Sequence, residues 1–156
     1  MKKPRSRNRP PFVGTRERTI KPGGWLVIPA EYRALLQGRR GVIRVLVVKG
    51  KPANLSCYRF EDWALARREL MALGGDVRRG REAALGSSPL ITACALDSQG
   101  RIRLPDGFRQ HADLDHRVVI VGCFDSFELW RPHRWKRHTA TTQGPRCRAE
   151  SYLWGG

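Results

Sequence analysis

Residues 20–29 and 96–105 repeat one design at a fixed distance. The first reads Ile20-Lys21-Pro22-Gly23-Gly24-Trp25-Leu26-Val27-Ile28-Pro29 and the second Leu96-Asp97-Ser98-Gln99-Gly100-Arg101-Ile102-Arg103-Leu104-Pro105. Gly100 − Gly24 and Pro105 − Pro29 both give 76, and Tyr32-Arg33 matches Phe108-Arg109 at that offset. Cys57-Tyr58-Arg59 with Trp63 matches Leu129-Trp130-Arg131 with Trp135 at an offset of 72. Turn, strand, proline, short helix and aromatic-ended strand therefore recur in one order, and an internal repeat governs the fold before any local signal does. Units of roughly 60 residues are marginal alone, so the two are expected to share one core.

Within each unit the turn chemistry is explicit. Asp97-Ser98-Gln99-Gly100 is a tight turn: an Asp side chain accepts bonds from backbone two residues on, and Gly takes φ > 0 freely. Ile102 and Leu104 then alternate with Arg101 and Arg103, the period of a half-buried strand. Pro105 ends that strand and opens a helix. Arg101 is thus expected near a hairpin tip, with Asp97 across the turn. In the first unit Pro22-Gly23-Gly24 suits a type II turn.

These residues carry a resemblance. The chain resembles the MraZ family, bacterial transcriptional regulators built from two tandem SpoVT-AbrB (AbrB-like) domains. The second half has the family's Asp-x-x-x-Arg motif as Asp97 and Arg101, followed by a strand and Pro105. The first half keeps the frame, Thr19-Ile20, Gly24 and Leu26-Val27-Ile28-Pro29-Ala30, but has Lys21 and Trp25 where the family has Asp and Arg. The likeness runs from about Gly14 to Arg137. It implies an α+β fold: two AbrB-like swapped-hairpin β units, related by a pseudo-twofold, sharing a β core with short helices outside. It also implies a ring-like homo-oligomer that binds short repeated boxes in promoter double-stranded DNA and represses the division and cell-wall gene cluster.

Composition supports a nucleic-acid partner. Lys and Arg number 30 against 14 Asp and Glu, a net charge of +16. Charge of that size speaks to partners rather than to fold. A ribosome-associated role, a solubilising surface and an Arg-rich proteome are the competing explanations. With 40% hydrophobic residues and five Trp the chain is globular in character.

Other classes find little support. No apolar run approaches 18 residues, so no membrane span is expected. The basic N-terminus has no apolar stretch behind it, so it is not a signal peptide, and a cytoplasmic, nucleoid-associated location is expected. Cys57, Cys94, Cys123 and Cys147 form no C-x-x-C pair, and three lie in strand-like runs as buried small side chains. His133 and His138 are five apart, a poor spacing for one helical face. Asp76, Asp97, Asp113, Asp115 and Asp125 fall in turns, and Glu61, Asp62 and Glu69 on a helix face. There is no nucleophile elbow and no phosphate-binding loop. The reading is a non-enzyme with no cofactor, metal or small-molecule substrate.

Along the chain, residues 1–13 read as a basic flexible arm, either a phosphate-gripping segment or a solvated tail. Residues 14–63 form the first repeat, 64–89 a helical connection, 90–137 the second repeat and 138–156 a basic flexible tail. Strands are expected at Val42–Val48, Leu55–Phe60, Leu90–Leu96, Val118–Val121 and, as an edge type, Phe127–Trp130. Helices are expected at Pro29–Leu36 (stopped by Gly38), Glu61–Leu73 (stopped by Gly74-Gly75), Val77–Leu85 and Phe108–Ala112, with an unsustained start at His133–Arg137.

The candidate DNA-binding residues are Arg101, Arg103, Asp97, Gln99, Lys21, Trp25, Arg16 and Arg18, with Gly100, Pro22, Gly23 and Gly24 forming the turns. Arg offers a planar fork of donors suited to guanine edges and phosphate. Asp97 is placed to accept from turn amides or from Arg101 and so aim it. Lys21 cannot accept those donors. Trp25 is suited to stacking on sugar or base, to groove insertion, or to simple packing. The two tips are therefore expected to differ: tip two reads DNA through Arg101, while tip one touches backbone through Lys21, Arg16 and Arg18. A non-specific nucleic-acid binder on the same fold is the second reading, and an AbrB-type antitoxin the third.

Overall fold

The structure is a computed structural model and describes residues 10–37, 41–72 and 89–141. Eight strands make one sheet: β1 (Thr15–Lys21), β2 (Trp25–Val27), β3 (Arg44–Gly50), β4 (Asn54–Arg59), β5 (Ile91–Ala95), β6 (Arg101–Arg103), β7 (Arg117–Gly122) and β8 (Ser126–Trp130). Among the described residues four α-helices accompany them: α1 (Ala30–Leu36), α2 (Trp63–Ala72), α3 (Asp106–His111) and α4 (Pro132–Thr141). The strand order is β5-β3-β4-β8-β7-β1-β2-β6, and every pairing is antiparallel. The two end strands, β5 and β6, are joined through the 97–100 turn, where Asp97 N donates to Arg101 O at 2.8 Å. The sheet therefore curls into a nearly closed α+β barrel.

The repeat is visible in the register. Leu26 lies opposite Ile102, and 102 − 26 is 76, the repeat offset itself. Ser56 lies opposite Glu128, and 128 − 56 is 72, the second offset. A local twofold must pass between both pairs. It also relates two hydrogen bonds, Ile28 N to Gly100 O and Leu104 N to Gly24 O, both 2.9 Å. Neither half closes its own hairpin layer: β2 of the first pairs with β6 of the second, so the core is common property. Leu26, Ile102, Val45, Val47, Leu55, Ile120, Phe127 and Leu129 fill the interior.

The outer face is covered on one side only. Alternation along a strand sends neighbouring side chains to opposite faces. Leu46, Val48 and Tyr58 point outward beneath α2, meeting Ala66 and Leu70. Val119, Val121 and Trp130 do the same beneath α4, meeting Trp135. The helix α2 thus packs on its own half as α4 packs on the other, rather than serving only as a connection.

Several expectations need correction. Phe12 is fully buried, paired to Phe124 and packed on Tyr32 and Phe127, so residues 12–13 join the body rather than an arm. The third strand starts at Arg44, and Val42 is exposed. Phe127–Trp130 is no edge: β8 lies between β4 and β7 and all its residues are buried. Glu128 misled the pattern, because its carboxylate is buried and accepts from Trp130 Nε1 at 2.9 Å. Glu69 likewise lies inside, accepting from Ser56 Oγ at 2.8 Å and Tyr58 OH at 2.5 Å. The last helix is sustained to Thr141, since the Trp135 and His138 rings pack at a tilt against Trp130, with centroids 5.5 and 4.6 Å away. The Val77–Leu85 helix, the Gly38 and Gly74-Gly75 stops, residues 1–9 of the arm and the tail beyond 141 lie outside the described residues.

Candidate nucleic-acid interface

The side of the barrel formed by β1, β2 and β6 has no helix over its outer face among the described residues. Leu26, Ile102 and Ile20 point inward and are buried, which sends Lys21, Trp25, Val27, Arg101 and Arg103 outward together. Register places Lys21 beside Trp25, Trp25 beside Arg103, and Val27 beside Arg101. Three cations, an indole and an exposed valine therefore share one three-stranded patch.

At tip two the carboxylate does several tasks at once. Asp97 Oδ1 accepts from the backbone N–H of Gln99 at 2.9 Å and of Arg101 at 2.8 Å. Asp97 Oδ2 accepts from Arg101 Nε at 2.8 Å. Gly100 N closes the turn on Asp97 O at 3.0 Å, with Gly100 at φ +77°. The aspartate thus fixes both the loop and the arginine, and the bond to Nε leaves the guanidinium's outer edge to face solvent. The Arg101 backbone amide, then its guanidinium and the Gln99 amide, hold the Asp97 carboxyl below the ordinary carboxylate range. The sign follows. A depressed folded value means the clamp contributes above about pH 3.8, the unperturbed value, and is lost as pH falls through the lower folded value. The Gln99 and Arg101 amide resonances are expected to titrate together with a midpoint below 3.8. Amides that shift with a midpoint above it would remove the clamp.

Tip one is held differently. Gly23 and Gly24 both sit at φ +88°, and Gly24 N bonds Lys21 O at 3.0 Å, so this turn needs no carboxylate. Gly24 is also a place of close approach: a Cβ there would lie 2.5 Å from Leu104 O. Arg103 reaches across from the other half, its Nε donating to Gly23 O at 3.0 Å.

Trp25 has a partner that sequence reasoning did not name. The Arg101 guanidinium lies over its ring, 4.6 Å from the centroid. Arg101 is thus held by Asp97 on one side and by an indole from the other repeat on the other. The tips form one composite surface, with Trp25 as a shelf. A cation–π contact contributes on the order of 0.5–2 kcal/mol, depending on exposure. Trp25→Ala is expected to lower site-specific affinity about 3–10-fold, with Trp25→Phe retaining most of it, in a fluorescence titration. Equal losses in both variants would point to backbone damage instead.

The predicted residues do not all converge. Asp97, Gln99, Arg101, Arg103, Lys21 and Trp25 surround the two tips. Arg16 and Arg18 lie on the same face of β1 as Ile20, opposite to Lys21. Arg16 is engaged by Glu31, with Nε–Oε1 at 3.0 Å and Nη2–Oε1 at 2.8 Å, and Arg18 Nη1 donates to Glu17 O at 2.9 Å. Sequence reasoning also passed over Arg33, which lies against the Gly100 turn. Its place in the repeat beside Arg109 was the available signal. The thiols offer no nucleophile there: burial pushes Cys57 well above its ordinary value and Cys94 up to about 12.

Known proteins resemble this chain in sequence. The family model described as "MraZ protein, putative antitoxin-like" matches residues 91–151. A transcriptional regulator MraZ of Limosilactobacillus reuteri (strain DSM 20016) is 33% identical over 131 residues, 84% of this chain and 89% of that protein. The chain belongs to the MraZ family. Transcriptional regulator MraZ of Moorella thermoacetica is also 33% identical, across 84% of this chain and 88% of that one. The Desulforapulum autotrophicum protein of the same name is 34% identical over 122 residues, 76% and 79% of the two chains. MraZ relatives are thus named as transcriptional regulators, not as enzymes. This chain carries Asp97 and Arg101 in its second half and Lys21 and Trp25 at the equivalent first-half positions, 76 residues earlier.

Proposed function

We propose that this chain is a DNA-binding transcriptional regulator, and that the uncovered β1–β2–β6 face is its contact surface. The observation that carries the reading is the double restraint on Arg101, by the Asp97 carboxylate and by the Trp25 ring. A fixed guanidinium projecting from a tight turn suits bidentate contact with guanine O6 and N7 in the major groove. Lys21 and Arg103 flank it and contact phosphate, while Gln99 at the turn's crest reaches a base edge or sugar. Arg16 and Arg18 hold the base of the tip through Glu31 and the strand backbone rather than touching DNA.

One such head reads few base pairs, so specificity comes from repetition. A ring-like homo-oligomer engaging short repeated boxes multiplies weak contacts through effective concentration. Repression of a division and cell-wall gene cluster, from a nucleoid-associated location, is the role the family resemblance supports. The net charge of +16 favours a second reading, a non-specific nucleic-acid binder.

Selection of binding sites from random duplex DNA decides between them. Enrichment of a short repeated box, bound against excess competitor, supports the regulator. Recovery of unenriched sequence with equal affinity for all duplexes supports the second reading.

A further inference from the structure

The two ends of the β4–β8 strand pair carry unlike turns. Cys123-Phe124-Asp125 leads from β7 into β8, and Lys51-Pro52-Ala53 leads from β3 into β4. They are twofold mates, since 124 − 52 is 72, the offset that also relates Ser56 to Glu128. One is a projection. Phe124 is 44% exposed and sits at φ +67°, where a bulky side chain is an outlier. Its backbone is fixed there by the pair of bonds to Phe12, at 2.8 and 2.9 Å. The repeat does not require that conformation, because Pro52 holds a negative φ at the equivalent position. Exposed Val13 follows the Phe12–Phe124 bridge, and the Asp125 carboxylate has no hydrogen-bond or ion-pair partner among the described residues.

The other is a recess. A cleft of about 330 Å³ lies between the Pro52–Ala53 turn and the Arg134 and Arg137 side of α4, with Trp130 at its floor. None of its lining residues is acidic. Arg134 shares Asp113 with Arg131, at 3.7 and 3.1 Å, and the Arg137 guanidinium has no partner among the described residues. A cavity of about 150 Å³ holds a benzene ring, so the cleft has room for a phenylalanine side chain. Its arginines suit both an aromatic face and a carboxylate. We infer that Phe124 and Asp125 of one copy seat in the α4 cleft of a second copy, the ring against Pro52, Ala53 and Trp130 and the carboxylate against Arg137. At a rise of about 3.4 Å per residue the two turns lie on the order of 25 Å apart along the paired strands, so no chain fills its own cleft. Each contact leaves a free projection at one end and a free cleft at the other. Such a heterologous join closes into a ring when the rotation allows it. The inference rests on the homo-oligomer of the reading above and assigns the surface that builds it.

The test measures the mass of the full chain by sedimentation, without DNA. Wild type is expected to form assemblies larger than a dimer. Phe124→Gly removes the ring and relieves the left-handed backbone, and Arg137→Glu sets a like charge against Asp125. Each variant alone is expected to sediment as a monomer, with the folded state checked by circular dichroism. Mixed, the two should form a one-to-one heterodimer and stop there, because one supplies only a cleft and the other only a projection. Asp125→Arg, which leaves the strained backbone alone, is a second projection-side variant with the same expected outcomes should Phe124→Gly fail to fold. A mixture that stays monomeric, or a variant that assembles as wild type does, overturns this contact and leaves the oligomer to another surface. A wild-type chain that stops at two copies overturns the head-to-tail arrangement. A monomeric wild type brings down the oligomer reading and this contact with it, while the role of Arg101 is judged separately on the selected duplex.

Discussion

Replacing Arg101 by alanine is expected to lower affinity for the selected site about ten- to a hundredfold, on the order of 1–3 kcal/mol. Affinity for scrambled duplex should fall by far less, because a single lost cation removes about one phosphate contact at most. The fold should tolerate the change. The Arg101 backbone amide still donates to Asp97 Oδ1, and its carbonyl still accepts from Asp97 N. The Nε–Oδ2 bond and the contact over the Trp25 ring are lost, and partly exposed interactions of that kind contribute little to stability. Wild-type discrimination between selected and scrambled DNA in this variant, measured by shift assay, would falsify the assignment of Arg101 as the reading residue.

The largest stability loss is expected far from the tips. Phe12 is fully buried, with its ring 5.1 Å from Tyr32, 5.3 Å from Phe127 and beneath the Arg59 guanidinium at 4.4 Å. Phe12→Ala should cost about 3–5 kcal/mol, because the rings and the buried Arg59 stem cannot all collapse into the space. The backbone pairs to Phe124, at 2.8 and 2.9 Å, do not depend on the side chain and should survive. Urea unfolding gives the number. A loss under about 1 kcal/mol would mean that the segment contributes little to the core.

Phe12 also illustrates what the sequence hides. Its neighbours are prolines and basic residues, so local composition argues for an arm; the cavity that receives it is made by Tyr32 and Phe127, distant in the chain. Glu69 and Glu128 fail for the same reason. A carboxylate in an amphipathic pattern reads as a solvent mark; tertiary structure brings Ser56 and Tyr58 to Glu69, and the burial of β8 between β4 and β7 makes the near neighbour Trp130 a partner for Glu128. The repeat, by contrast, is legible because turn chemistry is local: Pro22-Gly23-Gly24 and Asp97 through Gly100 dictate their own backbone. The Asp97–Arg101 clamp is legible on the same ground, being confined to five residues. The Trp25–Arg101 contact is not, since it depends on β2 lying beside β6. No spacing within either repeat encodes that neighbour.

The pairing of β2 with β6 across the local twofold has one more consequence. In an assembly of two identical short chains, each substitution at a tip would occur twice, so exchanging an arginine for tryptophan would erase every reading arginine at once. Joining both units in one polypeptide lifts that restriction. One copy can give up its own cation and become the scaffold for its twin, a division of labour open only to a tandem gene.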